Sequence, residues 1–102
     1  MDERAKERTL MLRCLAAIRC EPASKPVNAV EGNLFRAAAM VLQPRFPQEA
    51  QRLREISDEY FSEYSDQLMP VVWLVHNNHI TSMPRFRDNL EHLIVAEERR
   101  HI

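Results

Sequence analysis

The chain has 102 residues and a formal net charge of −1 at pH 7; 45% of its residues are hydrophobic and 28% are charged. These proportions are typical of one folded domain, here residues 1–102, and they argue against a disordered chain or a generally basic nucleic-acid coat protein. Glycine occurs once, at Gly32, against six prolines. Tight β-turns and phosphate-binding loops need glycine, so the composition favours an all-α domain.

The first predicted helix spans residues 3–20, where no proline or glycine interrupts a run of good helix formers. From Leu10 to Ile18 eight of nine residues are apolar, and on a helix they cover an arc of about 260°. A surface helix usually has a much narrower apolar stripe. This helix is therefore either central to the fold or shared with a second chain, and we predict a protein interface at Met11, Cys14 and Ile18.

The second predicted helix spans about 29–42 and follows a connection that contains two prolines. Asn28 is the candidate N-cap, with Glu31 three residues later in a variant of the capping box. Gly32 lies in the second turn, where glycine costs about 1 kcal/mol relative to alanine. We therefore expect a point of close helix packing there, and another at the three consecutive alanines of residues 37–39.

The third predicted helix begins at Pro47, which suits a first helical turn, and runs to Leu68. Its apolar residues recur at helical spacing within an arc of about 140°. They are Ala50, Leu53, Ile56, Tyr60, Phe61, Tyr64 and Leu68. Residues 47–69 also contain six acidic residues against two basic ones. The acidic side is either a solvated face or a docking surface for a basic partner, and Asp58, Glu59 and Glu63 are the acids assigned to that interface.

Residues 70–79 are predicted to form a short, almost wholly buried helix at the centre of the bundle. By propensity Val71–Val75 also suits a strand, and a strand that pairs with its copy in a dimer is the alternative. A lone strand would leave backbone groups unpaired. A last helix, capped by Thr81 or Ser82, follows and runs to about Arg99. Its predicted buried face comprises Met83, Phe86, Leu90, Leu93 and Ile94, with Val95 pointing away.

His76 and His79 are the pair of side chains best suited to metal binding, because residues at this spacing lie on one side of a helix. The sequence supplies no obvious third ligand. Glu98 and His101 form a single Glu-x-x-His pair, whereas di-metal sites in helical bundles need two such pairs. We therefore assign no metal ligand and expect residues 76–79 to form a polar turn that ends the helix.

Nucleic-acid binding is the alternative function, with Arg85, Arg87 and Asn89 of the last helix reading bases as in a helix-turn-helix motif. Such a protein would be a transcriptional or replication regulator. Pro84 falls inside the proposed recognition helix, and Asp88 beside the arginines counts against a phosphate-binding stripe.

The two cysteines, Cys14 and Cys20, lie about 9 Å apart along one helix, too far for a disulfide. Reduced thiols, an N-terminus unlike a secretory signal and no apolar run of about 18 residues predict a cytoplasmic protein with no membrane segment. The serines Ser57, Ser62 and Ser65 are expected on an exposed face with no histidine at helical spacing. We therefore predict no catalytic residue, no enzyme activity and no cofactor.

The remaining indication of function is that the chain has more apolar helical surface than its core is expected to bury. A domain of this size can bury one all-apolar helix more easily than two, and the excess is typical of a protein interface. The sequence thus predicts a compact bundle of four to five helices with a short central buried helix. Its predicted role is that of a small cytoplasmic protein–protein interaction module, such as a regulator, adaptor or assembly subunit. The partner is another protein, a second copy in a homodimer, or both.

Overall fold

The structure, a computed structural model, describes residues 3–19 and 25–100. In those residues the chain forms α-helices and no strand. The helices are α1 (Glu3–Ile18), α2 (Ala29–Leu42), α3 (Pro47–Glu63), α4 (Val72–His76) and α5 (Met83–Arg100), with a 3-10 turn at Ser65–Gln67. The predicted all-α bundle is therefore confirmed, and the strand alternative for residues 71–75 is wrong.

An ion pair ties α1 to the first turns of α2. Arg13 Nε lies 3.2 Å from each carboxylate oxygen of Glu31, and Arg13 Nη2 lies 3.0 Å from Oε1. The same Nη2 also donates to the carbonyl of Lys25 at 3.0 Å. Glu31 is only 7% exposed, so this forked contact compensates a carboxylate that has lost most of its water. Arg13, the one charged residue in the apolar run of α1, thereby joins the first two helices.

The N-cap of α2 is Asn28, as predicted. Its Oδ1 accepts a hydrogen bond from the Glu31 amide at 3.0 Å, and its backbone is extended, with φ at −162°. The Glu31 carboxylate accepts from the Val27 amide at 3.4 Å instead of from Asn28. The arrangement is therefore a variant of the reciprocal capping box.

α2 packs antiparallel to α3 at very short range, because Gly32 near the start of α2 faces Tyr60 near the end of α3. A Cβ added at Gly32 would lie 2.8 Å from Tyr60 Cδ1 and 3.2 Å from Phe61 Cζ. The alanines at 37–39 are buried as well. The close helix packing expected at these small residues is confirmed.

α3 ends at Glu63 and not at Leu68 as predicted. Asn33 of α2 holds the residues that follow α3 through two hydrogen bonds. Asn33 Nδ2 donates to the Gln67 carbonyl at 3.0 Å, and its Oδ1 accepts from the Met69 amide at 2.9 Å. These bonds hold the chain after the 3-10 turn against α2, where Leu68 is extended. In consequence Tyr64 and Leu68, which were expected in the core, are 43% and 45% exposed.

α4 is shorter and less buried than the sequence suggests. Only Leu74 within it is buried, and Val72 is 50% exposed. The helix stops because Asn78 adopts the left-handed conformation, with φ at 60°. The amide of Asn78 then donates to the Val75 carbonyl at 3.1 Å, and the amide of His79 donates to the Leu74 carbonyl at 2.9 Å, which is a Schellman motif. The polar terminating turn is confirmed, but the wholly buried central helix is wrong.

α5 begins with Ser82 as its cap. The Ser82 hydroxyl accepts from the Arg85 amide at 3.3 Å, and the Ser82 carbonyl accepts from the Phe86 amide at 2.9 Å. The predicted inner face is confirmed: Phe86, Leu90 and Ile94 are buried, Met83 and Leu93 are partly buried, and Val95 is 37% exposed.

Two contacts fix the direction of α5 relative to α1. Thr81 Oγ1, just before α5, donates to Glu7 Oε2 at 2.8 Å. Near the other end of both helices, Arg19 Nη1 lies 2.9 Å from Glu97 Oε1. α1 and α5 therefore run in the same direction and form a shared outer surface.

Candidate protein-docking grooves

The apolar side chains of α1 that were assigned to an interface lie largely in the core. Cys14 is fully buried, Met11 is 8% exposed, and Ile18 packs partly buried against the core. Burial, together with the nearby charge of Glu31, raises the pKa of the Cys14 thiol far above its ordinary value. This corrects the sequence interpretation for Met11 and Cys14, since α1 is covered by α2, α3 and α5; Leu12, in the same apolar run, is 46% exposed. Cys20 lies outside the described residues.

The three acidic residues assigned to the interface, Asp58, Glu59 and Glu63, are all exposed on α3. Among the side chains that the structure describes, none of them forms an ion pair. The stretch from Glu55 to Met69 contains five acids and no base. The second half of α3 and the turn after it therefore contribute only negative charge to the surface.

Two of these acids, Glu59 and Glu63, line a groove of about 920 Å³ between residues 25–29 and the second half of α3. We call it the acidic groove. Val27 in its wall is 71% exposed and Tyr64 is 43% exposed. Lys25 is the one cation among its lining residues, and Asp58 lies outside it. The groove therefore combines exposed apolar side chains with carboxylates that form no ion pair among the described side chains.

The aromatic wall of the acidic groove is held in place from several sides. The Tyr60 ring lies 4.8 Å from that of Tyr64 and 5.1 Å from that of Phe61, the latter edge to face. The Tyr60 hydroxyl donates a hydrogen bond to Gln67 Oε1. Burial raises the pKa of Tyr60, and the neighbouring Tyr64 and Asp66 act in the same direction. A wall fixed in this way loses little freedom when a ligand binds.

A second groove, of about 650 Å³, lies between the first halves of α1 and α5. We call it the basic groove; its lining residues are Glu7, Arg8, Met11, Thr81, Arg85, Asn89, His92 and Leu93. Arg85 and Asn89, two residues of the nucleic-acid hypothesis, meet here. Arg87, the third, lies elsewhere and pairs with Asp88 at 3.0 Å. The structure therefore does not bring these three side chains onto one surface.

His76 and His79 do not form a shared site. His76 is exposed, whereas the His79 ring is partly buried and lies 5.1 Å from that of Trp73. Within the described side chains, His79 Nδ1 is buried and has no hydrogen-bond partner. Burial, and secondarily the charge of Lys6, lowers the pKa of His79. In residues 3–19 and 25–100 no three His, Cys, Asp or Glu side chains lie close enough to hold a metal ion; His101 lies outside the described residues.

The serines of α3 differ from one another in burial. Ser57, expected at the surface, is fully buried, and its hydroxyl donates to the Arg54 carbonyl at 3.1 Å. Ser62 and Ser65 are exposed. The expectation for Ser57 was wrong because its side chain is small and satisfies its own hydrogen bond along the helix, so it fits against the core.

Sequence reasoning missed the apolar residues of the acidic groove. Val27 stands in a connection with no periodic pattern, and Tyr64 has the spacing of a core residue. The exposure of Tyr64 follows from the early end of α3, which no local pattern marks. Only the negative charge of this region could be predicted from the sequence.

No known protein family, curated protein or solved structure matches the chain. In the part of the chain that the structure describes, none of the helices is long and apolar enough to cross a membrane. Function is therefore inferred from the grooves and their charges alone.

Proposed function

We propose that the protein is a small protein–protein interaction module, serving as a regulator, adaptor or assembly subunit, that docks its partner in the acidic groove. One observation carries this proposal: exposed Val27 and Tyr64 line the same groove as Glu59 and Glu63, which form no ion pair with a described side chain. Apolar surface bordered by polar groups is typical of sites where proteins bind one another.

The charge of the groove specifies the chemistry of the partner. A segment with lysine or arginine beside apolar side chains would complement both the carboxylates and the exposed valine and tyrosine. Opposite charge also accelerates and orients the encounter of the two proteins. The open face of Tyr64 can in addition hold a cationic side chain through a cation–π contact.

The proposal places the protein in the cytoplasm, where Cys14 stays a reduced thiol. It includes no catalytic step, no cofactor and no metal. Binding through a preformed groove is the whole of the proposed activity.

The test is affinity capture of the tagged chain from its native lysate after nuclease treatment. Glu63→Lys is compared with Glu98→Lys, because both glutamates are exposed and lie in the last turn of their helices. We expect the wild-type chain and Glu98→Lys to retain a stoichiometric protein partner that Glu63→Lys loses. Equal retention by both variants, or loss of every captured protein on nuclease treatment, would contradict the proposal.

A further inference from the structure

The basic groove has the opposite charge to the acidic groove. Arg8 and Arg85 are both exposed along its sides, and His92 lies at the same surface. Neither arginine forms an ion pair with any side chain that the structure describes. Glu7 is the one carboxylate among the lining residues; its Oε2 accepts a hydrogen bond from Thr81, and its Oε1 is buried with no partner among the described side chains. Because Arg8 and Arg85 form no ion pair with Glu7 or with any other described side chain, their guanidinium groups are available to an external carboxylate.

The two grooves differ in their apolar content. Met11, which is 8% exposed, and the partly buried Leu93 contribute little apolar surface to the basic groove. Val27 and Tyr64 contribute more to the acidic groove, because they are 71% and 43% exposed. The net charge of −1 is close to zero, so copies of the chain experience little overall repulsion.

The two grooves are built from different parts of the bundle, and no residue lines both. The acidic groove belongs to residues 25–29 and α3, whereas the basic groove belongs to α1 and α5. Because the two grooves are built from different elements of one copy, the acidic groove of one copy can face the basic groove of a second copy. Contact between two different surfaces of identical chains repeats head to tail, and it ends only when a ring closes.

We propose that the partner docked in the acidic groove is a second copy of this chain, which presents its basic groove. This inference rests on the proposed function, because it takes the acidic groove as the docking surface. Arg8 and Arg85 of one copy face Glu59 and Glu63 of the next, and charge-assisted hydrogen bonds between guanidinium and carboxylate hold the contact. The exposed Val27 and Tyr64 of the acidic groove are covered at the same time.

Two variants test the head-to-tail contact by sedimentation velocity over a concentration series. The first, Glu59→Gln plus Glu63→Gln, neutralises the acidic groove; the second, Arg8→Gln plus Arg85→Gln, neutralises the basic groove. Glutamine preserves helix propensity, and circular dichroism verifies that each variant is folded. The wild-type chain should form oligomers that shrink at high salt. Each variant alone should associate about 100-fold more weakly than the wild-type chain.

The decisive sample is an equimolar mixture of the two variants. Each variant retains one intact groove, so the mixture should form a one-to-one dimer that neither variant forms alone. Arg87→Gln plus Arg99→Gln removes the same number of charges from exposed positions of α5 outside the basic groove. This control should associate like the wild-type chain.

Two results would overturn the self-association proposal. One is a wild-type chain that stays monomeric at every concentration, together with a mixture that yields no dimer; lysate capture that still depends on Glu63 would then leave the proposed function standing. The other is a fluorescent single-stranded oligonucleotide that binds the wild-type chain and is released by Arg8→Gln plus Arg85→Gln, because nucleic acid would then occupy the basic groove. If neither self-association nor lysate capture changes on neutralising the acidic groove, the proposed function fails as well.

Discussion

Replacing Gly32 with alanine should destabilise the protein, although the same change stabilises most helices. In a helix interior alanine is favoured over glycine by about 1 kcal/mol. Here the new Cβ would lie 2.8 Å from Tyr60 Cδ1, 3.0 Å from Tyr60 Cε1 and 3.2 Å from Phe61 Cζ. The first of these distances is too short for two carbon atoms, so the Tyr60 ring has to move.

The cost of that movement decides the sign of the effect. The Tyr60 ring is held by the rings of Phe61 and Tyr64 and by its hydrogen bond to Gln67. Overpacking a tightly packed site typically costs about 1–3 kcal/mol. Setting the gain in helix propensity against this cost, we expect Gly32→Ala to lower the free energy of unfolding by about 1 kcal/mol.

Urea unfolding followed by circular dichroism measures this change, with the slope m expected to stay constant. The control places Gly32→Ala in a Tyr60→Ala background, where the nearest ring is absent. There the substitution should be neutral or stabilising, which gives a coupling free energy of about 1 kcal/mol or more. If Gly32→Ala stabilises the wild-type chain, the Tyr60 ring moves freely and the acidic groove is not preformed.

Three further predictions concern buried polar groups. Asn33→Leu should lower the free energy of unfolding by about 2–3 kcal/mol in urea titrations, because the Gln67 carbonyl and the Met69 amide lose their partner. Asn77→Ala, which removes one exposed hydrogen bond to the Trp73 carbonyl, is the control and should have a much smaller effect. Because the pKa of His79 is lowered in the folded chain, the unfolded chain binds a proton at this residue more readily than the folded chain does. The free energy of unfolding should therefore fall as the pH drops below about 6.5. This decline should be weaker in His79→Gln and unchanged in the control His76→Gln, and equal declines in the two variants would refute the assignment to His79. In a Cys20→Ser background, Cys14 should react with iodoacetamide only after unfolding, because burial keeps its thiol protonated; rapid labelling of the folded chain would contradict its place in the core.

The parts of the fold that local signals specify were predictable from the sequence. Asn28 as cap, Pro47 at the first turn of α3 and the spacing of Phe86, Leu90 and Ile94 each act within a few residues. The end of α3 was not predictable, because the hydrogen bond from Asn33 to Gln67 joins residues 34 positions apart. No sequence pattern near residue 63 predicts a hydrogen bond to a residue so distant in the chain.

The candidate site was only partly predictable, for a related reason. The acids of α3 were correctly placed at the surface, since charged side chains are rarely buried. The apolar residues of α1 were assigned to an interface because the helical spacing of residues in one helix does not show how many neighbouring helices will cover it. Met11 and Cys14 are covered by neighbouring helices, whereas Tyr64, assigned to the core, is left exposed where α3 stops. Burial depends on tertiary neighbours, and a single sequence does not specify them locally.

The most direct test of the acidic groove as a docking surface is an NMR titration of the ¹⁵N-labelled chain with a synthetic amphipathic peptide of leucine and lysine. We expect saturable amide shift changes at residues 25–29 and in the second half of α3, and their loss in Glu59→Gln plus Glu63→Gln. Exposed acids outside the groove, such as Glu98, should show no saturable change. Shifts spread evenly over all exposed carboxylates, or no saturation, would mean that these acids form an ordinary solvated face and that the groove binds nothing.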